Sequence, residues 1–159
     1  MMLSEHFSLD EMLASETAAR LGFKEQYAPS SLIQENLKSL CHFILQPIRY
    51  DIQSRLHVSS GYRCPRLNTK IGGAKNSMHI FGMAADIVPT ENLNVDQLFK
   101  FVASSNLPFD QIIHEFGRWV HISYDPYLAI PRREILKAYK NKAGKTVYEF
   151  VKPNNIYNV

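Results

Sequence analysis

Apolar positions recur with two rhythms along this chain. Helical spacing dominates the first third, and short strand-like runs take over after it. Ile33, Leu37, Leu40, Cys41, Ile44, Leu45 and Ile48 fall three or four residues apart and predict the longest helix, capped by Ser30 or Ser31. Pro47 lacks the N–H that a helix interior needs, so it is expected to kink this helix or to divide it from a continuation through Ile52 and Leu56. Upstream, Ser8-Leu9-Asp10-Glu11 has the form of a capping box and predicts a short helix through Met12 and Leu13. Glu16 to Leu21 predicts a second short helix stopped by Gly22, and Phe23 to Pro29 reads as a loop.

After residue 56 the pattern changes. His57 to Ser60 reads as a strand ending in a turn at Gly61, and Ile71 to Asn76 as a flexible loop. Ala84 to Val88 combines small and β-branched residues, which suit a packed strand. Asn94-Val95-Asp96-Gln97 opens a helix whose apolar face includes Leu98, Phe101 and Val102. Asp110 to Glu115 and Trp119 to Tyr124 form a predicted hairpin across Phe116-Gly117; Ile135 to Tyr139 and Thr146 to Val151 read as two further strands. Helices first, then strands with one helix among them, predict an α+β fold with N-terminal helices packed on a small, mostly antiparallel sheet.

Composition narrows the class. With 159 residues and 45% hydrophobic content, the chain is expected to form one domain over residues 1–159, most simply as a monomer. A net charge of +3 with no aromatic–basic pattern argues against a nucleic-acid partner. Two cysteines without a CxxC pair imply neither a disulfide framework nor a cysteine zinc site. The start Met1-Met2-Leu3-Ser4-Glu5-His6-Phe7 lacks a basic region followed by an apolar core, and no apolar run is long enough to span a bilayer. These features predict a protein made in the cytoplasm without a signal peptide or membrane anchor.

The chemistry concentrates in Ser77-Met78-His79-Ile80-Phe81-Gly82-Met83-Ala84-Ala85-Asp86. His79 falls on the approach to the Ala84–Val88 strand and Asp86 within it, where a carboxylate is costly to bury unless it is paired or bound to a cation. His121, in the strand-like run Arg118 to Tyr124, is a second imidazole in an apolar setting. Two imidazoles and one carboxylate make three protein ligands, which leaves the fourth position of a tetrahedral zinc open, as in a catalytic site.

The pattern Ser77-x-His79-x-x-Gly82-x-Ala84-x-Asp86 resembles the signature of the zinc D-alanyl-D-alanine peptidases, relatives of lysostaphin and of the hedgehog signalling domain. Phe7 to Met12, Leu45 to Arg49, Ser59 to Arg63, Asn68 to Gly73 and Phe109 to Ile113 are similar to the phage and prophage branch of that family. The resemblance runs from about Phe7 to Tyr124, leaving 125–159 as an extension.

It implies one zinc per chain held by His79, Asp86 and His121. It also implies hydrolysis of peptide bonds in peptidoglycan stem peptides next to D-alanine, by an endolysin-like or wall-remodelling enzyme. Such an enzyme would reach the wall after release through a membrane pore or as a virion component. Arg63 is implied to face the site and to bind a substrate carboxylate or stabilise oxyanion charge, while Ser77 would bind substrate or orient a ligand. Several relatives carry an acid three residues before the last zinc histidine; Arg118 stands there instead and cannot serve as a base. A metal-bearing module that binds wall or protein without cutting is the alternative this leaves.

Glu115 is the nearest substitute base, and the turn decides which way it points. A three-residue Phe116-Gly117-Arg118 turn would pair Glu115 with Trp119 and put it on the His121 face; a two-residue turn would point it away. His114 and Asp110 are the remaining candidates.

Overall fold

The computed structural model describes residues 1–159. Helix α1, Leu9–Leu13, starts where the Ser8 hydroxyl accepts the Glu11 N–H, and α2, Glu16–Leu21, stops at Gly22 with φ +72°. A 3₁₀ turn, Lys24–Tyr27, occupies part of the stretch expected as loop. Its buried Gln26 explains why: the side-chain amide donates to the carbonyls of Leu13 and Tyr62 and accepts the Cys64 N–H. Such a fully satisfied buried amide fixes the turn to its neighbours.

The long helix forms as α3, Ser31–Leu40, and α4, Gln46–Ile52, joined by a π-helical turn at Cys41–Leu45. The widened turn carries the Gln46 N–H to the Cys41 carbonyl just before Pro47, so the backbone absorbs the proline by a local bulge. The helix does not continue to Leu56. Gln53 turns left-handed at φ +51°, and Leu56 opens strand β1, where it pairs with Pro89. Sheet pairing overrides the helical spacing there.

Strands β1 (Leu56–Ser60), β2 (Ala84–Pro89), β3 (Gln111–Glu115), β4 (Trp119–Ser123), β5 (Glu134–Lys140) and β6 (Thr146–Phe150) form one sheet in the order β1-β2-β4-β3-β5-β6. All neighbours are antiparallel except β3 and β5. The architecture is the expected α+β. Because β4 ends beside the start of β3, the 124–133 link has only to step past β3 to begin β5 alongside it. Ionic contacts hold that step: Arg132 forks onto buried Asp110 at 2.6 and 2.7 Å, and Arg133 donates to the carbonyls of Leu107 and Ser105. Helix α5, Pro65–Lys70, follows the Gly61 turn, where no helix was expected, and α6, Val95–Ala103, opens with a complete Asn94–Gln97 capping box.

Alternation along the strands gives the sheet two unlike faces. Ala85, Ile87, Ile112, Val120, Ile122 and Ile135 join a 29-residue core with Leu37, Leu40, Ile44 and Phe99. Each such fully buried aliphatic side chain contributes about 1.5–3 kcal/mol, so this face holds the fold together. On the other face only Ile113, Leu136 and Ala138 cluster. Strand register lays two rows across that face. One reads Asp86, His121, Ile113, Leu136, Phe150; the next reads Trp119, Glu115, Ala138, Tyr148.

Cys41 and Cys64 are buried and unpaired, and burial pushes the Cys41 thiol up to about 12, as befits an unreactive core residue. No helix is long and apolar enough to cross a membrane.

Candidate metal centre

The Ser77 hydroxyl accepts the His79 N–H at 3.3 Å and starts a 3₁₀ turn, Met78–Phe81, in place of an open loop. Gly82 ends the turn at φ +69°, and a Cβ there would come within 2.8 Å of the Ile33 carbonyl, so the turn needs glycine on both counts. The turn is tied to the Gly61 loop twice: His79 Nδ1 lies 2.7 Å from the Gly61 carbonyl, and the Arg63 N–H donates to the His79 carbonyl at 3.1 Å. A carbonyl only accepts, so Nδ1 carries the imidazole proton and Nε2 presents its lone pair inward.

Strands β2 and β4 bring the other two donors. Asp86 and His121 are direct cross-strand partners, which places both side chains on one face. Asp86 Oδ1 is 3.2 Å from His79 Nε2 and 3.1 Å from His121 Nδ1, and all three donors lie within 4.8 Å of one another. His79, Asp86 and His121 are each buried. Burial lowers the His79 pKa, against the pull of Asp86. Burial pushes the Asp86 carboxyl up, but the neighbouring imidazoles outweigh it and hold the group well below the usual carboxylate range. When neutral, His79 points that lone pair at the Asp86 carboxylate. Two acceptors at that distance need a cation between them, and two nitrogens with one oxygen fit zinc.

Arg63 sits behind this set. Its Nη2 donates to Asp86 Oδ2 at 3.0 Å, Nε donates to Ser60 Oγ at 2.9 Å, and Nη1 is 3.5 Å from Asn68 Oδ1. The guanidinium occupies one carboxylate oxygen and leaves Oδ1 for a metal. Arg63, expected from the resemblance to face the site, lines the cleft and is bound to Asp86, with supporting partners in Ser60 and Asn68, for which the sequence suggested no individual role.

Glu115 lies on the ligand face. The Arg118 N–H donates to the Glu115 carbonyl across a turn whose Phe116 and Gly117 are left-handed at φ +58° and +68°, and pairing resumes with Glu115 opposite Trp119. That is the three-residue alternative. Glu115 lines the same cleft, about 1100 Å³ in volume, as His79, Asp86, His121, Arg63 and Ser77. Desolvation raises its pKa, and the Asp86 charge adds to the rise. Trp119 Nε1 is buried without a hydrogen-bond partner.

The other acid–base candidates are spent elsewhere. His114 points to the opposite face, against Phe99 and Asp96, and Asp110 is held by Arg132 and Ser123. Arg118 is exposed on the turn. Leu136, Lys140 and Tyr148, which carry no motif in the sequence, also line the cleft. Their strands were legible, but the register of β5 against β3 was not.

A family model described as Peptidase M15 matches residues 5–123. No curated protein matches the chain.

Proposed function

The chain belongs to the peptidase M15 family, and on that premise we propose that it is a zinc metallopeptidase cutting peptide bonds in peptidoglycan stem peptides, next to D-alanine. The observation that carries this reading is a carboxylate of raised pKa, Glu115, in one cleft with the donor set His79, Asp86 and His121. A zinc ion held by His79 Nε2, Asp86 Oδ1 and His121 Nδ1 would polarise the scissile carbonyl and acidify the attacking water.

Glu115 takes the proton from that water and returns it to the leaving amine. Its raised pKa makes it a stronger base than an ordinary carboxylate, which suits the first transfer, and a protonated Glu115 then serves as the acid for the second. Arg63 keeps Asp86 turned toward the histidines and sets a fixed positive charge behind the site as negative charge develops on the substrate. Ser77 orients His79 by starting its turn. The enzyme acts as a monomer at the cell wall, in the manner of an endolysin or virion-borne lysin.

The test is digestion of purified peptidoglycan by zinc-loaded and chelated protein, followed by mass analysis of the products. Zinc-dependent release of fragments ending or beginning at D-alanine is expected. Zinc-loaded protein that binds the wall but releases nothing would favour the non-cutting module.

A further inference from the structure

One side of the cleft is built by residues beyond 123, where the family match ends. Strands β5 and β6 continue the ligand face past β3, so the row that starts at Trp119 and Glu115 runs on through Ala138 to Tyr148. Two strand spacings, roughly 10 Å, separate the Glu115 and Tyr148 backbones. The residue between them is alanine, so no large side chain separates the two positions along that row.

The Tyr148 phenol makes no hydrogen bond within the chain. What acts on it is partial burial first, then the charges of Glu115 and Asp86. An O–H donor without a protein acceptor therefore lines the cleft that also holds Glu115, Asp86 and His121.

The charges in the cleft are similarly unequal. Arg63, Arg132 and Lys140 are the cations that line it. Arg63 is neutralised by Asp86, and Arg132 by Asp110 and Glu134. Lys140 has no carboxylate partner; its ammonium meets the Thr146 hydroxyl and the face of Phe116. Lys140 stands two residues along β5 from Ala138, on the same face as Tyr148.

We propose that the β5–β6 hairpin is the substrate-binding wall of this cleft: the Tyr148 hydroxyl donates to the backbone of a bound peptide beside Glu115, and Lys140 pairs with a carboxylate on that peptide. The proposal rests on the peptidase reading for its choice of ligand, and it extends that reading to an anionic peptide gripped by a segment outside the family match. Exposed Tyr148 and Lys140 contribute little to the fold, so their variants report on binding.

The experiment uses zinc-loaded protein and a synthetic stem pentapeptide ending in D-alanyl-D-alanine, in free-acid form and with every carboxylate amidated. Trp119, the single tryptophan, lies in the cleft and reports binding by fluorescence; cleavage is read separately by mass. Tyr148→Phe should bind the free acid more weakly and lose about tenfold to a hundredfold in kcat/KM, with zinc content and melting temperature unchanged. Lys140→Gln should raise KM for the free acid and abolish the preference for it over the amidated peptide.

Wild-type binding and cleavage by Tyr148→Phe, or an intact preference in Lys140→Gln, would overturn the wall. So would a wild-type protein that binds neither peptide. A wild-type protein that binds the free acid without cutting it would defeat the peptidase reading alone, because the two variants can still be compared by fluorescence.

Discussion

Glu115 carries two opposed demands, and each gives a measurement. As the proposed base, it must ionise; as a half-buried side chain near Asp86, it resists ionising. Glu115→Gln keeps the shape and deletes the proton acceptor, so activity should fall by about 100- to 10,000-fold while zinc stays bound, read by single-turnover cleavage and elemental analysis. The same substitution should stabilise the metal-free protein at neutral pH. The folded-state pKa of Glu115 lies above its ordinary value, so the acid form favours the fold: that contribution is full below the ordinary pKa and lost as pH rises through the raised one. Denaturant melts from pH 3 to 8 should therefore show the Gln variant gaining on wild type as pH rises and matching it at the acid end. The three donors that the fold brings together, His79, Asp86 and His121, stood out in the sequence because their types cluster in one short stretch and one strand. The supporting roles of Ser60, Asn68 and Gly61 did not, because a carbonyl, amide or hydroxyl that steadies a donor has no distinguishing residue type.

At the scale of elements, period and capping signals located most helices and strands, and failed where a local pattern met a tertiary demand. Leu56 fits the preceding helix by spacing but is taken by β1, and Gln26 turns an expected loop into a 3₁₀ turn by finding three buried partners. The 124–133 link depends on a similar buried group. Asp110 is almost fully enclosed and has Arg132 as its charged partner. Arg132→Ala should cost about 3 kcal/mol in urea unfolding, the low end for stranding a buried charge, because Arg132 itself is half-exposed. Asp110→Asn placed on top should recover part of that loss, and a double-mutant cycle measures the coupling. Equal melting midpoints for wild type and Arg132→Ala would mean the fork does not hold the link.

For the whole molecule, fold class followed from the order of elements, whereas strand order did not: the β3–β5 pairing is parallel and skips a neighbour, and nothing local announces it. The donor set joins a turn, β2 and β4, so a bound zinc should tie the ligand face together. Chelation should lower the melting temperature, and each tenfold excess of free zinc over its dissociation constant should add about 1.4 kcal/mol, seen as a steady rise across a zinc titration. A melting temperature indifferent to zinc would deny the ion a place in the native state. The edge position of β5 and β6 has a further consequence, for how such a protein diverges. Asp86 and His121 are fixed by β2 and β4, four and three strands in from the β6 edge, and the last two strands attach mainly by backbone pairing, with Ile135 their one side chain in the 29-residue core. Descendants of such a chain can rewrite the cleft-facing positions of 136–150 without disturbing the inherited chemistry. Diet and catalysis are free to evolve at different speeds.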